Sequence, residues 1–314
     1  MKTAGPPPVV RHAIGALIAA VFIVLLIAEP SAFDSGKGEI EIRLRDTPIS
    51  VFTYRPSGCE PSTLLFVFHG LGRKASNMRD NAVELADRAC LLILAPLFDK
   101  ERFPNWRYHR AGVVRKGRVQ PADRWTGPLV EALITWGRRW SGAPAMPYAL
   151  FGHSAGGQFL SRLSAYSPPA GSERIVIANP SVHVLPSLEE PAPYGFGGAF
   201  SGEQAEGQLK AYLALPITIY LGDQDTGEKN LVRKAAARRQ GANRLERGLY
   251  VFRLAWDLAT QNGWPLNWRL VTASGIGHSS KDMLSAPAAE KALSRTESPW
   301  PWGLERQLDG EHAG

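Results

Sequence analysis

The sequence predicts an α/β fold: a mostly parallel central sheet of about eight strands, flanked by helices, with loop or small cap insertions. Three observations carry this expectation. From Leu64 onward, short apolar runs alternate with longer amphipathic stretches, the pattern of a parallel sheet with covered faces. Two strictly alternating segments precede the first such run and suggest an antiparallel start to the sheet. At 314 residues with 44% hydrophobic content, the chain has ample material for a large core.

Taken in order, Glu39–Arg45 alternates as a half-exposed strand, and Pro48–Tyr54 supplies a second before the turn Arg55-Pro-Ser-Gly58. Leu64–Phe68 is the first fully apolar strand. Asn77–Ala89 is expected to be a helix capped by Asn77 or Ser76, and Leu91–Ala95 the next strand. Residues 96–123 form a long irregular excursion. Thr126–Trp140 reads as a helix, Tyr148–Phe151 as a short buried strand and Ala155–Tyr166 as an amphipathic helix. Arg174–Ala178 is a strand. Residues 180–216, rich in Pro and Gly, are expected to form a loop or small cap. Ile217–Leu221 is a strand, followed by helices around Glu228–Gln240 and Arg247–Gln261. Trp268–Thr272 is the last strand and Ser279–Leu293 a helix bent near Pro287. Residues 297–314 read as a loose tail. No internal repeat or linker divides the body.

The N-terminus has the order of an export signal. Lys2 and Arg11 precede an apolar or small-residue run, Ala13–Ala28, followed by Glu29-Pro-Ser-Ala-Phe33. At 16 residues the run is long for a signal core and short for a spanning helix, and Pro30-Ser-Ala32 matches the A-x-A cleavage pattern poorly. Residues 1–32 are therefore read as a signal peptide or an uncleaved membrane anchor, with membrane association through residues 13–28 as one outcome. Either way the body is expected on the outer side of the cytoplasmic membrane, periplasmic or secreted if cleaved. Two cysteines suit that compartment. Cys59 and Cys90 each precede an apolar strand. If those strands are parallel neighbours, a disulfide closes a loop of about thirty residues, worth roughly 3 kcal/mol; two buried free thiols are the alternative.

The formal charge is +7. The densest basic run, Arg233–Arg247, is read as the solvated face of a helix, and no nucleic-acid partner is assigned.

The chemistry centres on Gly152-His-Ser-Ala-Gly156, a G-x-S-x-G match between a strand and a helix. A serine on such a sharp turn projects over the sheet end, and the helix N-terminus beneath it favours developing negative charge. A serine hydroxyl needs a base, an orienting acid and an anion site, each on a loop at the carboxyl end of a strand. Of the seven histidines, His278 in Ala273-Ser-Gly-Ile-Gly-His-Ser279 alone follows the acid candidates in a loop directly after a strand. In Leu221-Gly-Asp-Gln-Asp-Thr226, Asp225 is preferred as the acid because it stands further past the strand. Asp223 is better placed to bond local backbone N–H groups. His153 is expected to point away from the pocket, His69 to be structural, and His109 and His183, in the two long excursions, to be solvated, with substrate contact as the alternative. The anion site is assigned to the amides of Leu71, in Phe68-His-Gly-Leu-Gly72, and Ala155.

His69-Gly70-Leu-Gly72, Gly-His-Ser154-Ala-Gly, Gly222-Asp-Gln-Asp225 and Gly277-His278, in the order Ser, Asp, His, resemble the α/β-hydrolase superfamily over residues 39–296. The resemblance extends more loosely to secreted polyhydroxybutyrate depolymerase-like and feruloyl-esterase-like enzymes. It implies the α/β-hydrolase fold, a serine carboxylic-ester hydrolase working through an acyl-serine intermediate, and no metal or organic cofactor. The expected partner is a small-molecule or polymeric ester. Trp106, Tyr108, Tyr194 and Phe196, in the two long excursions, are candidate substrate contacts. An amidase, thioesterase or acyltransferase would use the same triad. A membrane-tethered binding protein that kept the fold and lost turnover is the alternative from another class.

Overall fold

The computed structural model describes residues 35–294, together with residues 1, 2 and 5. The run Ala13–Ala28 and the tail 297–314 lie outside the described residues. The elements are β1 (Gly36–Leu44), β2 (Thr47–Arg55), β3 (Thr63–Phe68), α1 (Ala75–Asn81), α2 (Val83–Ala89) and β4 (Leu91–Pro96). A small hairpin, β5 (Val114–Arg115) and β6 (Arg118–Val119), precedes α3 (Gly127–Trp140), β7 (Tyr148–His153), α4 (Ala155–Tyr166) and β8 (Arg174–Ala178). Then come α5 (Gly202–Ala214), β9 (Ile217–Gly222), α6 (Ala235–Arg238), α7 (Arg244–Asn262), β10 (Arg269–Ala273), α8 (Ser280–Ser285) and α9 (Ala288–Leu293).

Eight strands form one mixed sheet in the order β1-β2-β4-β3-β7-β8-β9-β10. β1 pairs antiparallel with β2, and β2 antiparallel with β4. All pairings from β4 to β10 are parallel. The antiparallel start follows from the alternation of β1 and β2, and the apolar runs of β3, β4, β7, β8 and β9 are each buried at most or all positions. The period of two divides these strands between two cores. Phe66, Phe68, Leu150, Ile177 and Ile219 face one core with side chains of α3, α4, α5 and α7. Leu65, Val67, Phe151, Val176 and Tyr220 face the other with side chains of α1, α2, α8 and α9.

Four local expectations are corrected. The helix expected over 77–89 breaks at Ala82 into α1 and α2, and Lys74 occupies the cap position with no side-chain cap bond. Residues 202–214 of the expected loop or cap are a helix, α5, packed on α4 through buried Leu209, Tyr212 and Leu213. Only Ala235–Arg238 of the expected 228–240 helix is helical. The last helix is interrupted at Ala286-Pro287 because proline disfavours helical backbone in the residue before it.

Cys59 and Cys90 form a disulfide with a Cα–Cα distance of 6.0 Å. β3 and β4 are parallel neighbours with Thr63 opposite Leu91, so the bond lies at the amino end of the strands. The basic run is a solvated face only in part: Arg233, Lys234, Arg238 and Arg239 are exposed, whereas Arg244 and Arg247 are each 1% exposed. Arg247 donates to the carbonyls of Gly241 and Val232, tying the β9–α7 connection to the amino end of α7.

Candidate active site

Ser154 follows β7 and caps α4 with φ 57° and ψ −112°, a conformation that costs about 1–3 kcal/mol in an L-residue. The flanking glycines permit it. A Cβ on Gly152 would lie 2.4 Å from the carbonyl oxygen of Gly156, and one on Gly156 would lie 2.2 Å from that of Phe68. The backbone therefore turns in less space than any side chain leaves, and the Ser154 amide donates to Ala178 O on the neighbouring strand (3.0 Å).

The loops after β9 and β10 are knitted together by backbone. Asp223 N–H donates to Ala273 O (3.1 Å) and Gln224 N–H to Ile276 O (3.0 Å). The Asp223 carboxylate accepts from the amide of Gly275 (2.8 Å), whose φ of 72° suits glycine. Asp223 thus holds the loop after β10 rather than bonding local backbone as expected, and Asp225 faces His278. Its Oδ2 lies 2.7 Å from His278 Nδ1, and His278 Nε2 lies 3.0 Å from Ser154 Oγ. A carboxylate only accepts, so Nδ1 carries the proton and Nε2 presents a lone pair to the serine hydroxyl. Asp225 is 1% exposed, whereas the His278 side chain keeps 28% of its surface.

The sequence reading missed the partner of the buried acid. Arg244 Nη1 approaches Asp225 Oδ1 at 3.3 Å, and the same guanidinium donates to the carbonyls of Gly227 (3.1 Å) and Lys229 (2.6 Å). Burial pushes the Arg244 pKa down and Asp225 opposes that shift. A signal was present. Asn243-Arg-Leu-Glu246 is a helix-start pattern, and Asn243 accepts from the amide of Glu246 (2.9 Å). A cation at the first position of a helix opposes the helix dipole and implies a compensating anion.

On the anion side, the turn after β3 is closed by Arg73 N–H donating to Gly70 O (3.1 Å), with Leu71 at its exposed tip. Ala155 is the first residue of α4. Among the described residues neither amide donates to a backbone carbonyl. Beneath the turn His69 is fully buried: Phe98 N–H donates to its Nε2 (3.0 Å) and its Nδ1 faces Gly70 O (3.1 Å). Burial lowers its pKa to about 4, which keeps it neutral. Arg73 clamps the turn to the next loop by donating to Phe103 O (3.0 Å).

Other expected roles change. His153 packs against the imidazole of the triad. It is buried, its ring centre lies 4.7 Å from that of His278, and burial drives its pKa well below 6.5. His183 is buried rather than solvated, with its backbone bonded to Gln240 on both sides. His109 is half-buried, and burial lowers its pKa to about 3. Tyr108 cannot meet substrate: it is fully buried, stacked between Phe98 and Phe159, and its hydroxyl donates to His69 O (2.7 Å). Phe196 is likewise buried among Tyr166, Phe200 and Tyr212. Both fold inward because α4 is buried on every side and the excursions supply its outer cover. Trp106 is half-buried under the Arg115 guanidinium (4.9 Å). Tyr194 is half-buried and lines a pocket together with Gln158, which stands four residues after Ser154 on α4.

Neither a family model nor a curated protein sequence matches the chain. Solved structures do. A poly(3-hydroxybutyrate) depolymerase from Bordetella parapertussis is 33% identical with a TM-score of 0.75, over 88% of this chain and 95% of that one. Poly(aspartic acid) hydrolase-1 from Sphingomonas sp. KT-1 is 31% identical with a TM-score of 0.74, over 83% and 98%. An S-formylglutathione hydrolase from Agrobacterium tumefaciens shares the fold, at 14% identity and a TM-score of 0.51 over 86% and 99%. With an eight-stranded mixed sheet between helical layers and a relative one-third identical over nearly its full length, the chain belongs to the α/β-hydrolase superfamily and is a hydrolase.

Proposed function

We propose that the protein is an exported serine hydrolase that cleaves carboxylic esters through an acyl-serine intermediate. The observation that carries this reading is the unbroken line from Asp225 Oδ2 through His278 to Ser154 Oγ, at 2.7 and 3.0 Å. His278 Nε2 takes the serine proton as Oγ adds to the acyl carbon. The amides of Leu71 and Ala155 receive the oxyanion, a contribution of about 10²–10³ in turnover for each donor. Collapse expels the alkoxide, which takes the proton from His278 and leaves as the alcohol. Water, activated by the same imidazole, then releases the acid. Asp225 holds the Nδ1–H tautomer and stabilises the imidazolium, while Arg244 balances the buried carboxylate. The relative acting on poly(3-hydroxybutyrate) supports an ester substrate, small or polymeric. The excursions 96–123 and 180–216 supply the walls of the cleft.

Export is supported by the disulfide and by the order of charge, apolar run and small residues over 1–32. The test of chemistry is labelling by a fluorophosphonate probe with release of alcohol from graded p-nitrophenyl esters. Wild type should label and turn over, and Ser154→Ala should do neither. A folded wild type that stays unlabelled would return the chain to the binding-protein alternative. Fractionation that found the full-length protein soluble in the cytoplasm would overturn the export assignment.

A further inference from the structure

A pocket of about 220 Å³ is lined by Arg110, Gln158, Arg162, Tyr194 and Lys234 among others, and reaches α4 one turn after Ser154, at Gln158. Three of these side chains are cationic and none is acidic. Arg162 is 2% exposed, and its Nε has no hydrogen-bond partner. Its Nη1 donates to the carbonyls of Val182 (2.7 Å) and Gln158 (3.3 Å), so the guanidinium reaches back along α4 toward Ser154. Among the described residues, Arg162, Arg110 and Lys234 share no ion pair with any Asp or Glu. A buried cation is costly unless an anion compensates it. Arg244, equally buried, has Asp225; Arg162 has none. Deprotonation does not remove the difficulty, because burial lowers the Arg162 pKa only to about 10.

We propose that this pocket binds a carboxylate of the substrate, so that the enzyme prefers esters bearing a free carboxylate a few bonds from the scissile carbonyl. The proposal rests on the ester-hydrolase reading and names its substrate class. Spacing follows from the helix: Gln158 stands four residues after Ser154, about 6 Å along α4. The Arg162 guanidinium lies at the Gln158 carbonyl, so the substrate must span at least that rise, within reach of a diacid of five carbons or more. Arg162 forms the floor, Arg110 and Lys234 the rim, and Gln158 and Tyr194 the polar walls. A planar guanidinium suits two-point recognition of a carboxylate.

The test compares two esters that differ only in charge: mono-p-nitrophenyl glutarate and its neutral methyl ester. The wild-type kcat/KM ratio, acid over neutral, should exceed about 10, the scale of one charge-assisted hydrogen bond. It should fall toward 1 in Arg110→Gln/Lys234→Gln, mainly through KM, and with added salt. A second ester, 4-butyryloxybutanoate against its amide, reports a carboxylate on the alcohol side. A wild-type ratio near 1 for both pairs, or one unmoved by the double variant, would overturn the proposal. Direct titration of glutarate into Ser154→Ala separates the two readings, since binding needs no turnover. If neither ester reacts but glutarate binds and the double variant abolishes binding, the pocket stands and the ester chemistry falls. If glutarate does not bind, the pocket assignment falls.

Discussion

Replacing Arg244 by methionine is the sharpest perturbation of the site that leaves all three triad residues in place. Arg244 and Asp225 are each 1% exposed. An exposed ion pair would contribute only about 0–1 kcal/mol. Here removal of one partner leaves a buried carboxylate with His278 as its remaining side-chain partner, and strips donors from the carbonyls of Gly227 and Lys229. Breaking such a pair costs about 3–5 kcal/mol, a fifth or more of the ~5–15 kcal/mol that holds a domain together. Denaturant unfolding of Arg244→Met should therefore show a midpoint far below wild type, and labelling of the folded fraction by a fluorophosphonate should slow. A double-mutant cycle with Asp225→Asn isolates the pair. Neutralising both should cost less than the sum of the singles by about 1–3 kcal/mol. A single-variant loss under about 1 kcal/mol, additive with Asp225→Asn, would refute the claim that Arg244 compensates the acid.

Four further outcomes follow from the same structure. Asp225→Asn should lower kcat by about 10⁴ by presenting the wrong imidazole tautomer, whereas Asp223→Asn keeps an acceptor for Gly275 N–H and should stay within about tenfold of wild type; kinetics on one ester compares them. Gly156→Ala, whose new Cβ would meet Phe68 O at 2.2 Å, should cost about 3 kcal/mol or more in unfolding experiments and reduce labelling of Ser154. Reducing the Cys59–Cys90 bond, or replacing both cysteines by serine, should destabilise by about 3–4 kcal/mol for a loop of this length without changing the ester preference. Stability should fall as pH drops from about 6.5 to 4. In that window His69 is protonated in the unfolded chain, while its folded pKa is lowered to about 4, so the unfolded state binds more protons. Each such histidine adds a slope of about 1.4 kcal/mol per pH unit; His69→Gln should flatten the profile, and an unchanged slope would count against the burial argument.

Local pattern was enough for the strands of the sheet and for the sharp turn at Ser154, though not for the bounds of α1, α2, α5 and α6. The unbroken apolar runs of β3, β7 and β8 announced a sheet with two covered faces, and Gly152 and Gly156 around Ser154 announced an elbow that only small residues can make. Both Asp223 and Asp225 reach the loop after β10, Asp223 to the Gly275 amide and Asp225 to the His278 ring, and the local bond expected of Asp223 is not the one its carboxylate makes. The side chains whose roles only tertiary structure decided are those whose surroundings come from distant segments. Tyr108 and Phe196 look like pocket walls on irregular loops, yet they are buried because α4 needs cover on its outer side. Arg162, Arg244 and Arg247 look like solvated charge, and are buried because carbonyls, and for Arg244 a carboxylate, arrive from elsewhere in the chain. Periodicity records which face of an element is apolar; it does not record what closes over a polar one, since burial of a charge depends on partners tens of residues away.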